Sequence, residues 1–338
     1  MDQLTFNDNL IPYFGGHMSI TNGIVSAISD INEIGGNMIQ IFISSPMMLN
    51  SNIDMKKFSP KIIEQIKNKC IETDSKIVIH LPYVINLAKP LEFTQVDSEQ
   101  NKLVQNKSVQ NKSVQNKSVQ NKSVQNKSVK LIMKQLEISH LIGSIGCVVH
   151  VGKYTGQTEA EGLENMYNSL KLIIDYIRDN NLNTHIILET SAGQGTELLP
   201  TKNNSLNDLA EFYSRFTSDD KNYIKICVDT CHIFAAGYDI RNKEMVKLFF
   251  DQFHEAIGLE NLALIHLNDS KKTCGSCVDR HENLGMGCIG IEGLRHFIRY
   301  AIYYKIPTVL ETPSNYVGEL QLINNVKNGV NRWIEKQK

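Results

Sequence analysis

Short apolar runs alternate with longer amphipathic stretches along most of the chain. Between the runs, apolar residues recur at helical spacing in segments such as 163–179, 205–216 and 291–304. Continuous apolar runs are typical of parallel strands buried on both faces, and eight of them favour a single-domain α/β fold of the (β/α)8 TIM-barrel type over a doubly wound sheet. The predicted strands are Tyr13–His17, Asn37–Ile43, Lys76–His80, Cys147–His150, His185–Glu189, Ile224–Asp229, Leu262–His266 and Pro307–Glu311.

Six tandem pentads at residues 100–129 interrupt this alternation of predicted strands and helices. The first reads Gln-Asn-Lys-Leu-Val, and five copies of Gln-Asn-Lys-Ser-Val follow it. A step of five residues turns a helix by about 140° and changes the face of a strand each time, so the valines form no continuous buried face in either structure. We therefore predict a low-complexity insertion, disordered or loosely helical, in an otherwise single domain spanning residues 1–338. It lies on the loop side of the barrel or extends the helix that follows.

The composition is that of an ordinary globular protein, with 41% apolar and 21% charged residues. No window approaches the roughly 18 uncharged apolar residues of a membrane span, and the first residues form neither a basic nor an apolar leader region. Seven cysteines, an odd number, favour free thiols in a reducing compartment. We expect a soluble intracellular protein that is not secreted and has no membrane partner; nucleus, cytoplasm and virion are not distinguished.

The charge balance at first argues against a nucleic-acid partner. There are 35 basic and 36 acidic residues, which give a net charge of −1. The pentads hold six lysines and no acid, so the rest of the chain stands at −7. Proteins that bind nucleic acids usually carry an excess of Lys and Arg. A polyanionic substrate would therefore require a source of positive charge other than the side chains.

Six consecutive predicted strands end in an acid or an imidazole. In a barrel, the carboxyl ends of the strands converge on the face where barrel enzymes keep their active sites. A single residue of this kind is more often a hydrogen-bonded core residue or a helix cap. The joint pattern is different, because the strand interiors are apolar and packing does not explain an ionisable group at every end. With two loop motifs added, the candidate residues are His80, His150, Glu189, Asp229, His232, His266, Asp279, His281 and Glu311.

Five imidazoles and four carboxylates in one small volume indicate metal binding. Without a counter-charge, the carboxylates would repel one another and their pKa values would rise. Neutral imidazole and carboxylate are ligands expected for Zn²⁺, with Mn²⁺ or Fe²⁺ as alternatives. Nine ligands are too many for one ion and suit two or three ions that share a bridging carboxylate.

The cysteine motifs are weaker signals. Cys274 and Cys277 form a single CxxC without a second pair, which favours a chance pair in a reduced loop over a redox or zinc element. Cys227 and Cys231 flank Asp229, and we interpret them as small packing residues.

At the candidate ligands the sequence resembles the endonuclease IV family of apurinic/apyrimidinic (AP) endonucleases. The resemblance spans roughly Tyr13 to Lys338 apart from the pentads, and its motifs are highly specific together. They are HLPYVINLA (His80–Ala88), LETSAGQG (Leu188–Gly195), CVDTCH (Cys227–His232), HLNDSK (His266–Lys271), VDRHENLG (Val278–Gly285) and LET (Leu310–Thr312).

The resemblance implies a barrel with three Zn²⁺ ions, Mn²⁺ being an alternative at one of them. It implies base excision repair by cleavage 5′ to abasic sites in double-stranded DNA, which leaves a 3′-hydroxyl and a 5′-deoxyribose phosphate, together with trimming of blocked 3′ ends. Catalytic roles would fall to Glu189, Asp229 and Glu311. Carried over by motif, one ion would be held by His80, His150 and Glu189, the next by Glu189, Asp229, His266 and Glu311, and the third by His232, Asp279 and His281.

Three residues are candidates for DNA contact by the same resemblance. Tyr83 and Val84 match family positions that enter the DNA at the lesion, where a wedge unstacks bases and bends the duplex. One loop departs from the family, because Ser44–Met48 reads SSPMM where the family usually has a polar stretch with Arg or Gln. Met47 can still act as a wedge by shape, but it cannot donate hydrogen bonds.

A metal-dependent sugar isomerase or epimerase on the same barrel is the alternative function. Such enzymes usually hold one or two ions and do not need the pair formed by Asp279 and His281, so a third metal separates the two functions. A non-enzymatic protein that recognises DNA damage is not supported, since all nine candidate ligands are present. The sequence favours a deoxyribonuclease IV-type AP endonuclease, a hydrolase of phosphodiester bonds that acts as a monomer.

Overall fold

Eight parallel strands close into a barrel, which confirms the predicted (β/α)8 architecture. The computed structural model describes residues 12–49, 53–91, 93–95, 122–124 and 126–335. In chain order the strands are β1 (Phe14–His17), β2 (Met38–Ile41), β3 (Lys76–His80), β4 (Phe93–Gln95), β5 (Lys122–Val124), β6 (Cys147–His150), β7 (Ile186–Glu189), β8 (Ile224–Asp229), β9 (Leu262–His266), β10 (Asp269–Ser270), β11 (His281–Glu282) and β12 (Thr308–Leu310). The barrel order is β1-β12-β9-β8-β7-β6-β3-β2, and β1 pairs in parallel with both β2 and β12.

Helices surround the barrel. They are α1 (Ile24–Glu33), α2 (Pro60–Glu72), α3 (Lys127–Ile142), α4 (Glu159–Asp179), α5 (Asn207–Ser214), α6 (Thr230–Ala236), α7 (Lys243–Ala256), α8 (Gly290–Tyr304) and α9 (Val317–Glu335), with 3₁₀ turns at Met55–Phe58, Lys202–Asn204, Asp220–Asn222 and Leu259–Asn261. Of the predicted segments, 163–179 begins four residues earlier, because Thr158 and Glu161 form a capping box. Within the described part of the chain, no helix has both the length and the apolar character needed to cross a membrane.

An apolar layer crosses the interior of the barrel. It consists of one fully buried side chain from each of seven strands, namely Met38, Val78, Val148, Ile187, Cys227, Leu264 and Val309. The eighth strand contributes Gly15, which is paired with Met38; a Cβ on Gly15 would lie 1.6 Å from the carbonyl oxygen of Met38. Side chains alternate along a strand, so the residue two positions after each of these also points inward, one layer nearer the mouth.

The last pentad copy is part of the fold. Asn126 is the N-cap of α3, and its side chain accepts hydrogen bonds from the backbone N–H groups of Ser128 (2.9 Å) and Val129 (3.4 Å). Val129 is fully buried in the apolar core between barrel and helices, and β5 pairs antiparallel with β4. The prediction of a disordered or loosely helical insertion otherwise falls on residues 100–121 and 125, which lie outside the described residues. In the last copy, a helix cap and a buried valine hold residues 126–129 at the start of α3.

Candidate metal centre

The two-residue step places the strand-end acids and imidazoles in one layer at the mouth of the barrel. Glu189 follows the interior residue Ile187 by two positions, and Asp229 follows Cys227 in the same way. Six predicted ligands obey this step, namely His80, His150, Glu189, Asp229, His266 and Glu311. His232 in the first turn of α6 and the segment at β11, with Asp279 and His281, complete the layer. The structure thus brings all nine predicted residues into mutually close groups of three or four.

Glu189 lies at the centre of the site and is 1% exposed. Its Oε2 is 3.1 Å from Nε2 of His150 and 3.4 Å from Nε2 of His80. Its Oε1 faces the other way and is 2.9 Å from Nδ1 of His266. Each carboxylate oxygen therefore faces a different set of nitrogens, which is the arrangement of a carboxylate that bridges two ions.

The second group gathers three carboxylates around one imidazole. Nδ1 of His266, which is fully buried, lies 3.2 Å from Oε2 of Glu311 and 3.9 Å from Oδ2 of Asp229, in addition to its contact with Glu189. The side chain of Asn268 holds two of these acids. Its Nδ2 donates to Asp229 at 2.7 Å, and its Oδ1 accepts from the backbone N–H of Glu311 at 2.9 Å.

The third group is built around Asp279. Its carboxylate oxygens lie 3.3 Å from Nε2 of His232 and 3.2 Å from Nε2 of His281. Nε2 of His281 is also 3.5 Å from Asp229. Cys231 is buried, as a packing residue should be, and its sulfur additionally lies within 4.8 Å of ligand atoms of Asp279 and His281.

Backbone carbonyls fix the orientation of three imidazoles. Nδ1 of His80 donates to the carbonyl oxygen of Leu81 at 2.7 Å, and Nδ1 of His232 donates to that of Thr190 at 2.9 Å. Nδ1 of His281 faces the carbonyl oxygen of Glu311 at 3.3 Å. A proton on Nδ1 leaves the lone pair on Nε2, and Nε2 is the atom that faces the carboxylates in each case.

Charge interactions among the candidate ligands shift their pKa values strongly. Burial would raise the pKa of Glu189, but His266 and His150 outweigh it and hold that pKa well below its ordinary value. Burial would likewise lower the pKa of His281, but Asp229 and Asp279 raise it to about 9. The imidazoles thus favour the ionised form of Glu189, and the carboxylates favour the protonated form of His281.

The donor set fits divalent metal ions. Oε2 of Glu189 and Nε2 of both His232 and His281 are buried, and none of them has a hydrogen-bond partner among the described residues. Buried polar atoms without partners are costly, and here they converge on spaces bordered by further ligand atoms. Each group offers imidazole nitrogen or carboxylate oxygen, the ligand types that zinc and related ions take.

Two residues of this layer are not among the predicted ligands. Gln40 is fully buried at the end of β2, where its Nε2 donates to Oε1 of Glu311 at 2.6 Å and its Oε1 accepts from Nε2 of His266 at 2.8 Å. His17 ends β1, and its Nδ1 lies 3.1 Å from Nε2 of Gln40. The signal that identifies them is the same two-residue step, from Met38 to Gln40 and from Gly15 to His17.

A cavity of about 950 Å³ opens above the ligands, and Lys89, Lys153 and Arg280 contribute to its lining. Tyr83 and Val84 lie on its wall, with Tyr83 48% exposed. Met47 does not line the cavity but is 67% exposed in the neighbouring loop, which the backbone N–H of Tyr83 joins by donating to the carbonyl oxygen of Pro46 at 2.9 Å. The three candidate DNA-contact residues therefore lie at or beside the mouth.

Known proteins share both the sequence and the fold. A profile of the family described as xylose isomerase-like TIM barrel matches residues 115–336. A relative from Acanthamoeba polyphaga mimivirus that carries the name endonuclease 4 is 31% identical over 316 residues, which cover 92% of this chain and 88% of the relative. This chain belongs to the endonuclease 4 family. A second member, from Chloroflexus aurantiacus, is 32% identical and covers 90% of this chain and 92% of its own length.

Solved structures agree with membership of the endonuclease 4 family. Endonuclease IV from Thermus thermophilus matches with a TM-score of 0.66 and 25% identity, over 95% of this chain and 99% of the other. A D-tagatose 3-epimerase-like protein matches with a TM-score of 0.61 and 18% identity, over 95% and 99% of the two chains. The second likeness shows the fold alone, so the barrel is common to both candidate functions while the sequence relatives belong to the endonuclease 4 family.

Proposed function

We propose that this chain is a zinc-dependent DNA repair endonuclease that hydrolyses the phosphodiester bond 5′ to an abasic site in duplex DNA. Phosphodiester hydrolysis follows from membership of the endonuclease 4 family. The observation that carries the proposal is the set of close ligand groups at the mouth of the barrel, two of which share Glu189 while Asp229 links the second to His232 and His281. The products would be a 3′-hydroxyl and a 5′-deoxyribose phosphate, and blocked 3′ ends would be trimmed by the same site.

Three zinc ions per chain are part of the proposal, with Mn²⁺ an alternative at one position. His80, His150 and Glu189 would hold one ion, Glu189, Asp229, His266 and Glu311 the next, and His232, Asp279 and His281 the third. When bound, such ions activate water at neutral pH and neutralise charge on the phosphate oxygens. The third group supports the nuclease over the sugar isomerase, because an isomerase has no need of Asp279 and His281.

The chain's own residues orient the reacting groups. The amide nitrogen of Asn268 donates to the carboxylates of Asp229 at 2.7 Å and of Glu311 at 3.4 Å, so it favours their orientation towards the site. The amino group of Lys153, half-exposed and 3.2 Å from Glu197, adds positive charge to the cavity rim with Arg280. These charges lie where the phosphates that flank the scissile bond would approach, and they position the backbone without reading its sequence.

An abasic nucleotide suits this cavity. A sugar without a base leaves the helix at low cost, because that nucleotide has no pairing or stacking to lose. Tyr83 and Val84 on the wall would fill the gap left in the duplex, and the exposed Met47 would press on the neighbouring bases by shape.

The decisive experiment uses a duplex with one abasic site, labelled on both ends of the damaged strand. We expect a cut on the 5′ side of the lesion, no cut in the matched intact duplex, and loss of cutting after dialysis against a chelator with recovery on adding Zn²⁺. A cut on the 3′ side, or undiminished cutting after complete metal removal, contradicts the proposal.

A further inference from the structure

His17 is an imidazole at the mouth of the barrel that the metal groups do not use. It lines the cavity with 19% of its side chain exposed. Its ring packs against Phe42, with ring centroids 4.5 Å apart, and its backbone carbonyl accepts from the hydroxyl of Tyr316 at 3.1 Å. The ring is therefore held in place. Its Nδ1 faces Gln40, whereas no side chain in the described ranges hydrogen-bonds its Nε2.

The orientation of the Gln40 amide follows from its acidic neighbour. Oε1 of Glu311 lies 2.6 Å from one end of the amide, and a carboxylate only accepts, so that end is the NH₂ group. The other end is then the amide oxygen, which lies 2.8 Å from Nε2 of His266 and accepts its proton. With a metal ion bound, the lone pair of His266 would thereby be on Nδ1, the atom on the side of Glu189 and Glu311.

The same amide determines the tautomer of His17. The second hydrogen of the NH₂ group points at Nδ1 of His17 over 3.1 Å, so Nδ1 must offer its lone pair. A neutral imidazole with its lone pair on Nδ1 carries its proton on Nε2. Nε2 lies on the opposite edge of the ring from Gln40. The result is a chain of hydrogen bonds from His266 through Gln40 to His17, which ends in an N–H group beside the cavity.

We propose that His17 is a substrate-binding residue whose Nε2–H donates a hydrogen bond to a phosphate oxygen in the cavity. This inference rests on the proposed function, because it places the phosphate group of the substrate above the metal groups. The donor is neutral, so it leaves the charge balance of the four carboxylates and five imidazoles unchanged. Gln40 acts as a positioning residue, since it keeps the proton of His17 on the nitrogen that faces the phosphate.

Two substitutions at His17 test the roles of its two ring nitrogens separately. An asparagine amide reaches about as far as Nδ1, so His17→Asn can keep the contact with Gln40 but loses the donor in the cavity. A glutamine amide reaches about as far as Nε2, so His17→Gln keeps a donor there. His185→Asn is the matched control, because His185 is a half-buried histidine at the other end of the barrel, where it is bonded to the carbonyl oxygen of Ile145.

We expect His17→Asn to lower kcat/KM on abasic duplex by about 10- to 100-fold, the range for loss of one hydrogen bond to a charged group. His17→Gln and the control should stay within about fivefold of the parent protein, on the same scale of hydrogen-bond energies. Metal analysis should give the same metal content for all four proteins. Parent-like activity of His17→Asn, or a loss of metal that matches its loss of activity, overturns the inference.

Two readouts do not depend on cleavage. Inorganic phosphate should bind the metal-loaded His17→Asn protein about tenfold more weakly than the parent protein in calorimetry, on the same hydrogen-bond scale. Long-range ¹H–¹⁵N NMR should show His17 as the Nε2–H tautomer, and the Nδ1–H tautomer overturns the inference. If phosphate binding depends on His17 but the parent protein does not cut abasic duplex, the proposed substrate fails and the role of His17 stands.

Discussion

At the scale of single residues, Glu189 joins two of the three ligand groups. Its two oxygens lie within 3.4 Å of His80 and His150 on one side and 2.9 Å of His266 on the other. We predict that Glu189→Gln lowers the rate on abasic duplex by well over 100-fold, because even outer partners of metal ligands are worth about 10- to 100-fold. The amide keeps the volume and removes the charge.

Initial rates on abasic duplex, with metal content measured on the same samples, test this change. Glu164→Gln on the outer helix α4 is the matched control, since Glu164 pairs only with surface groups, among them Arg215, and should have the parent's rate. A near-normal rate in Glu189→Gln removes the bridging role assigned to this carboxylate.

Proton release on metal loading is a second consequence at this scale. Burial opposes the charged form of His281, but nearby acids raise its pKa to about 9, and the pKa of His266 is also held well above its ordinary value. The protonated forms therefore dominate at neutral pH in the metal-free protein, and metal must displace those protons. Affinity should rise as pH increases towards 9.

Calorimetric titration of metal-free protein with Zn²⁺ in two buffers of different ionisation enthalpy measures the protons released. We expect release at pH 7, and less release from His281→Asn. Zinc binding that is independent of buffer and of pH between 6 and 9 would show that the imidazoles are already neutral.

The ligands were predictable from sequence because acids and imidazoles end strands whose interiors are apolar. Gln40 and His17 were not predicted, although they occupy the same layer. An amide is not a usual metal ligand, so Gln40 carries no chemical signal when it is read alone. His17 follows Gly15 rather than an apolar residue, and only the barrel geometry, which leaves no space for a Cβ there, shows that Gly15 belongs to the interior layer.

At the scale of elements, the pentads meet the fold at the start of α3. Asn126 caps the helix, Ser128 and Val129 are buried behind it, and Lys122–Val124 form β5. Every copy carries the same Asn and Val, so local sequence gives no means to tell which copy begins the helix. Burial of Val129 against the core determines which copy begins α3. Because this burial depends on tertiary packing, the start of the helix could not be predicted from the sequence.

Deletions in phase with the repeat test this account. Removal of Gln105–Val124 leaves a complete final copy and brings Lys102–Val104 to the place of β5, so the urea midpoint should be unchanged. Removal of Gln105–Val129 puts Leu103 in place of the buried Ser128 and deletes β5. Asn101 and Val104 then take the places of Asn126 and Val129, so the cap is kept. The overpacked core position should still destabilise the protein by about 1 kcal/mol or more. Equal urea midpoints for the two deletions would show that the last copy contributes no more to stability than any other copy.

At the scale of the whole molecule, the net charge depends on the metals. The chain alone carries −1, and four of its acids are proposed ligands. Three divalent ions would bring the total to about +5, with the added charge concentrated at the mouth of the barrel. The near-zero net charge, which argued against a DNA partner, therefore describes the metal-free protein. A count of charged side chains could not show where the positive potential arises.

Binding to undamaged duplex isolates this effect, because that DNA offers no abasic site to cut. We predict that metal-loaded protein binds it at least about tenfold more tightly than metal-free protein at low salt, and that the difference shrinks as salt rises, since the attraction is electrostatic. Lys153→Ala at the rim should reduce the slope of log affinity against log salt by about 1 in the loaded protein, whereas Lys67→Ala, exposed in the later half of the outer helix α2, should not. Fluorescence anisotropy over a salt series measures the affinities of the loaded protein, the metal-free protein and the two lysine variants. Equal affinities with and without metal would mean that the duplex is held by surface lysines, and that the metals act only on the phosphate that is cut.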